Sequence, residues 1–133
     1  MLSVAEDHLR AINPSARMHL FGQEVQPESY AVCKTDMLLK GQGNAHIAFG
    51  DTFTKYGGDD LTKEAFSGKS FDYMLANPPF GKDWKTIEKQ IKAEHAGLGF
   101  AGRFGAGLPS TTDGQILFLQ QMISKMRPIE EGG

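Results

Sequence analysis

One cysteine, Cys33, stands among 133 residues, which excludes an intrachain disulfide and any zinc site built on several thiolates. A reducing, cytoplasmic setting is the expectation. Long hydrophobic runs are missing too: no stretch approaches the roughly 18 apolar residues of a membrane-spanning helix. The opening Met1-Leu2-Ser3-Val4-Ala5-Glu6-Asp7 carries acids where a secretory signal carries lysines. The expectation is a chain neither held in a membrane nor exported. No charge sign dominates, since 14 Lys and Arg against 16 Asp and Glu leave a net charge of -2. That excludes a histone-like polybasic character, so any nucleic-acid contact is local or shared with a partner. His8, His19, His46 and His95 are scattered, with no H-x-x-x-H pair, and no metal site is expected. Nor is a serine or cysteine nucleophile with a placed base visible.

What is present suffices to fold. Hydrophobic residues at 40% together with 16 glycines approach the usual globular share, and the length suits one compact domain. Leu2, Ala5, Leu9 and Ile12 are spaced 3, 4 and 3, which predicts an amphipathic helix ending before Asn13-Pro14. Met18 to Glu24 reads as a buried strand. Pro27 suits the first position of a second helix, with Tyr30, Ala31, Met37 and Leu38 on its buried side, Cys33 packed as a small apolar residue, and Gly41 as its stop. His46 to Gly50 is a second strand candidate, followed by a loop over Lys55 to Asp60 and a helical turn near Lys63 to Phe66. A third strand, Phe71 to Ala76, stops at Asn77-Pro78-Pro79, because proline cannot donate to a ladder. This alternation predicts an α/β fold with a mostly parallel sheet, its functional residues at the carboxyl ends of the strands.

Beyond the double proline, Trp84, Ile87 and Ile91 predict a helix over Asp83 to His95. Lys82, Lys85, Lys89 and Lys92 fall on its opposite side, as phosphate contacts or as an ordinary solvated face. Gly97-Leu98-Gly99-Phe100-Ala101-Gly102 matches G-x-G-x-x-G, but it follows a helix instead of a strand. It is read as part of a mobile cover or a disordered connector over Gly97 to Gly107. Asp113 caps a last helix with Ile116, Leu119, Ile123 and Met126 on one face, ended by Pro128.

The most informative tetrapeptide is Asn77-Pro78-Pro79-Phe80, directly after a strand. As a bare pattern it is a rigid turn. It also fits a specific chemistry: an exocyclic amine is a poor nucleophile because its lone pair is delocalised into the adjacent π-system. Two acceptors drawing on its N–H bonds localise that lone pair for in-line attack on a methyl group. The Asn77 side-chain oxygen and the Pro78 carbonyl supply such acceptors. Pro79 holds Pro78 extended, and Phe80 offers a ring on which a flipped base stacks.

Around this turn, Leu20-Phe21-Gly22-Gln23-Glu24, Ile47-Ala48-Phe49-Gly50-Asp51-Thr52-Phe53 and Phe71 to Phe80 occur in order, followed by Leu108-Pro109-Ser110 and Asp113-Gly114-Gln115. In these segments the chain resembles the modification subunits of type I restriction–modification systems, adenine-N6 DNA methyltransferases that use S-adenosylmethionine. The resemblance implies a partial Rossmann-like methyltransferase fold, with Asn77, Pro78, Pro79 and Phe80 at the target base. It implies that Glu24, with Gln23 beside it, accepts from the cofactor's ribose hydroxyls. Asp51 would accept from the adenine amino group, with Thr52 or Phe53 against the ring. It implies double-stranded DNA and the specificity and restriction subunits as partners. The family's glycine-rich cofactor loop and first strand do not precede Leu2, and its later strands do not follow Pro128. The expectation is that residues 1–133 form the central part of a catalytic domain that binds cofactor weakly by itself. A non-catalytic remnant that self-associates through exposed sheet edges is the alternative, as is a protein-glutamine or RNA methyltransferase sharing the Asn-Pro-Pro-aromatic motif.

Overall fold

The computed structural model describes residues 1–43, 45–54 and 64–131; the loop expected over 55–60 and Lys63 lie outside them. The chain divides into two compact units, residues 1–52 with 64–65, and residues 53–54 with 66–131.

The first unit is a strand–helix–strand. Helix α1 spans Leu2–Ile12, β1 Phe21–Glu24, α2 Pro27–Leu39 and β2 His46–Phe49. The two strands pair in parallel, Phe21 opposite His46 and Glu24 opposite Phe49, as a helical crossover between them requires. Pro27 takes the first position of α2. Gly41 stops that helix with φ +70°, its N–H donating to Leu38 O (3.1 Å) while the Gln42 N–H donates to Met37 O (2.8 Å). This pair of bonds with a left-handed residue is the Schellman cap, which favours glycine. The core is Leu20, Met37, Ala45 and Ile47, with Leu2, Met18, Tyr30 and Cys33 packed against it. The inward side of α2 is thus Tyr30, Cys33 and Met37, whereas Ala31 and Leu38 face outward. On α1 the buried positions are Ser3 and Glu6, and Ile12 at the helix end is exposed.

The second unit carries α3, Glu88–Leu98, and α4, Gln115–Lys125, with short 3-10 turns at Lys85–Ile87, Gly99–Ala101 and Ile129–Glu131. Phe53, Trp84, Ile91, Phe104 and Leu117 form its core, backed by Ile87, Leu108 and Phe118.

Two expectations are corrected here. The third strand is reduced to one parallel bridge, Phe71 opposite Met126: the Phe71 N–H donates to Lys125 O (2.8 Å) and the Arg127 N–H to Phe71 O (2.9 Å). The pairing stops because the chain coils into a 3-10 turn at Ile129 instead of running on beside Tyr73. The glycine-rich segment is neither a loose cover nor a disordered connector, since Arg103 and Phe104 are buried in it. The apolar stripe of α4 points outward, with Ile116, Leu119, Ile123 and Met126 each about half exposed or more. Gln120, Gln121 and Lys125 are buried instead. Neighbouring loops need polar partners more than this helix needs to bury aliphatics: the Gln120 Nε2–H donates to Gly107 O (2.8 Å) and Lys125 Nζ–H to Phe66 O (2.6 Å).

Candidate active site

The two acids named from the sequence lie at the same end of the β1–β2 pair. Glu24 is the last residue of β1 and Phe49 the last of β2, and the Gly50 N–H donates to the Glu24 carbonyl (3.0 Å). Asp51 follows directly. Parallel strands end side by side, so both carboxylates sit outside the carboxyl edge, where open α/β sheets place their ligands. Glu24 is half-buried, and its Oε1 accepts from the Gln26 N–H (2.8 Å). That bond orients the carboxylate so that a second oxygen remains for an outside donor. Gln23 is engaged differently, its Oε1 accepting from the Ala65 N–H (3.1 Å). Asp51 and Thr52 are half-buried. Phe53 belongs to the second unit, where its ring packs on Phe104 (6.2 Å) and Phe118 (4.3 Å) at 6% exposure. That ring is committed to the core.

In the second unit, Asn77, Pro79 and Phe80 are exposed and Pro78 is half-buried; Phe80 reaches 84% exposure. Gly81, at φ +62°, turns the chain immediately afterwards. The exit of this turn is braced three times. The Gly114 N–H donates to Lys82 O (3.0 Å) and the Trp84 N–H to Thr111 O (3.1 Å). The Trp84 indole Nε1–H donates to Ser110 O (2.9 Å). The braces come from Ser110, Thr111 and Gly114, and the sequence alone leaves the Leu108–Ser110 segment without a physical task. An exposed asparagine and phenyl ring on a braced turn leave acceptors and a stacking face open to a planar ligand.

The family model of the N-6 DNA methylases matches residues 1–132. The chain belongs to this family. It is also similar to the "Type I restriction enzyme HindI methylase subunit" of Haemophilus influenzae, 26% identical over 110 residues, covering 82% of this chain and 21% of that protein. The chain thus spans about a fifth of the relative's length. No solved structure matches it.

Within this N-6 DNA methylase sequence the lysines do not form one helical stripe. All four are exposed, but Lys82 precedes the helix, Lys85 lies in a 3-10 turn, and Lys89 and Lys92 occupy α3. Lys92 is paired with Glu88 (2.6 Å). The helix begins later than its periodicity predicts because Trp84 is drawn into the core and toward Ser110. Sequence reasoning missed Arg103, whose side chain is 4% exposed. Its guanidinium donates to Glu94 Oε2 (2.6 Å), Gln121 Oε1 (3.1 Å) and the Phe53 carbonyl (3.1 Å). The only signal was an arginine beside an aromatic, Arg103-Phe104, amid glycines. Among the described residues no group of three or more His, Cys, Asp or Glu is placed to hold a metal ion, and no helix is long and apolar enough to cross a membrane.

Proposed function

We propose that this N-6 DNA methylase chain is the central part of a Rossmann-like catalytic domain that methylates adenine N6 in duplex DNA. In this reading it serves the methylase subunit of a type I restriction–modification system, alongside specificity and restriction subunits. The observation that carries the reading is the braced, exposed Asn77-Pro78-Pro79-Phe80 turn. In this turn the Asn77 Oδ1 and the Pro78 carbonyl accept the two N–H bonds of the adenine amine, and Phe80 stacks on the flipped ring. The amine's lone pair would thereby become available to form an N–C bond to the methyl group as that group's bond to the donor sulfur breaks, the bonding pair staying on sulfur as a neutral thioether, and the amine proton would leave afterwards to solvent.

The cofactor proposed is S-adenosylmethionine, which supplies a methyl group on an already charged sulfonium. The oriented carboxylate of Glu24 suits the paired hydroxyls of a ribose, since a carboxylate accepts two donors. Asp51, one strand away, suits an amino donor on the attached base, with Thr52 beside it. Gln23 supports the Glu24 end of the strand through its bond to the 64–65 segment.

The test is methyl transfer from labelled S-adenosylmethionine by a complete subunit carrying these residues, offered adenine-containing duplex DNA, RNA and a Gly-Gly-Gln peptide. N6-methyladenine in the digested DNA is the expected product, and N77A should lower the rate about 100-fold or more while sparing cofactor binding. Label in RNA or peptide but not in DNA would overturn the reading.

A further inference from the structure

Phe100 is 90% exposed, although it lies only four residues from Phe104, which is wholly buried. Several features fix it there. The Gly102 N–H donates to Gly99 O (3.1 Å), and Gly99 takes φ +50° at the end of α3. On the far side, the Arg103 N–H donates to Glu94 Oε1 (3.0 Å), and the Phe104 carbonyl lies 2.8 Å from His95 Nδ1. Gly105 then presses against the turn from behind: a Cβ there would come within 2.6 Å of both Gly99 O and Phe100 Cα. The segment is folded back on itself without space to spare, and of its large side chains Phe100 is the most exposed, with Leu98 at 54%. A phenyl ring held in water by a tightly packed turn loses little conformational freedom when something covers it, which is the economy of a preorganised contact.

The charge of the same segment indicates what covers it. Residues 82–103 hold five Lys or Arg against three Asp or Glu, in a chain whose net charge is -2. Arg103 is neutralised by Glu94 and Lys92 by Glu88. The excess therefore rests on Lys82, Lys85 and Lys89, all exposed, with Asp83 as the remaining acid. Helical rise separates Lys89 from Leu98, the last residue of α3, by about 14 Å, the span of about four base pairs, and Phe100 follows two residues on. Exposed lysines on the segment leading to a rigid, exposed apolar side chain suit a duplex whose phosphates the lysines follow while the ring enters a base step. Protein interfaces, by contrast, are depleted in lysine.

We infer that Phe100 is an apolar wedge that enters duplex DNA, a contact separate from the base-side turn at Asn77–Phe80. The inference rests on the DNA-methylase reading. The test measures binding of a fluorescent, adenine-containing duplex to the 133-residue chain at low salt by anisotropy, with 2-aminopurine in the duplex reporting unstacking. F100A should weaken binding about tenfold and leave 2-aminopurine dark, whereas F100L should stay close to wild type, because leucine also serves as a wedge. Since the side chain is outside the core, thermal melting of both variants should match wild type. If wild type and F100A bind equally, the inference fails and the methylase reading stands. If the wild-type chain has no affinity for the duplex, this contact fails, and the methyl-transfer assay above decides the methylase reading independently.

Discussion

Arg103 gathers in one side chain what the second unit needs from several. Its guanidinium reaches α3 through Glu94, α4 through Gln121 and the entry of the unit through the Phe53 carbonyl. With the pair almost fully out of water, removing the cation leaves Glu94 buried without compensation. R103M should therefore cost about 3–5 kcal/mol. Trp84, the single tryptophan, is 3% exposed in the same core, so its fluorescence during urea unfolding reads this unit specifically. An unchanged midpoint would show that the cluster contributes nothing. At this scale placement is legible: Asn77 falls in an exposed stretch before two prolines, and Glu24 and Asp51 fall at or just past the carboxyl ends of β1 and β2. Arg103 was illegible because an arginine amid glycines reads as solvent-exposed, and only the fold supplies its three partners.

The elements of the first unit follow from local rules. Periodicity gave α1 its bounds, Pro27 the start of α2 and Gly41 its end. The cap is testable: a Cβ in the left-handed region costs about 1–2 kcal/mol. G41A should lower the far-UV circular dichroism midpoint accordingly while leaving the Trp84 transition, in the other unit, where it was. The second unit was less legible because its elements are decided by partners distant in sequence. Phe71 to Ala76 has the composition of a strand, yet only Phe71 finds a ladder neighbour, in Met126. The helix after the double proline starts late because Trp84 bonds 26 positions along the chain, to Ser110. Periodicity finds the apolar face of α4 without saying what lies against it, and that face is turned outward.

For the molecule as a whole, the outward stripe of Ile116, Leu119, Ile123 and Met126 is the feature with the largest consequence for behaviour in solution. Contiguous aliphatic surface on a helix commonly marks a protein contact. The expectation is concentration-dependent self-association of the isolated chain, measured by sedimentation velocity. L119K together with I123K should shift it to monomer without lowering the urea midpoint, because neither side chain contributes to the Trp84 core. A wild-type chain monomeric at every concentration would contradict this.

The bonds at the exit of the double-proline turn join it to the start of α4: Gly114 immediately precedes that helix, and its N–H holds the Lys82 carbonyl. On the proposed function, order imposed on α4 by an associating surface would be passed to the turn through this bond, and order imposed on the turn by a captured base would be passed back. Binding free energies are reciprocal in such an arrangement. Under the proposed function, occupancy of the helix and residence of the base would then rise or fall together.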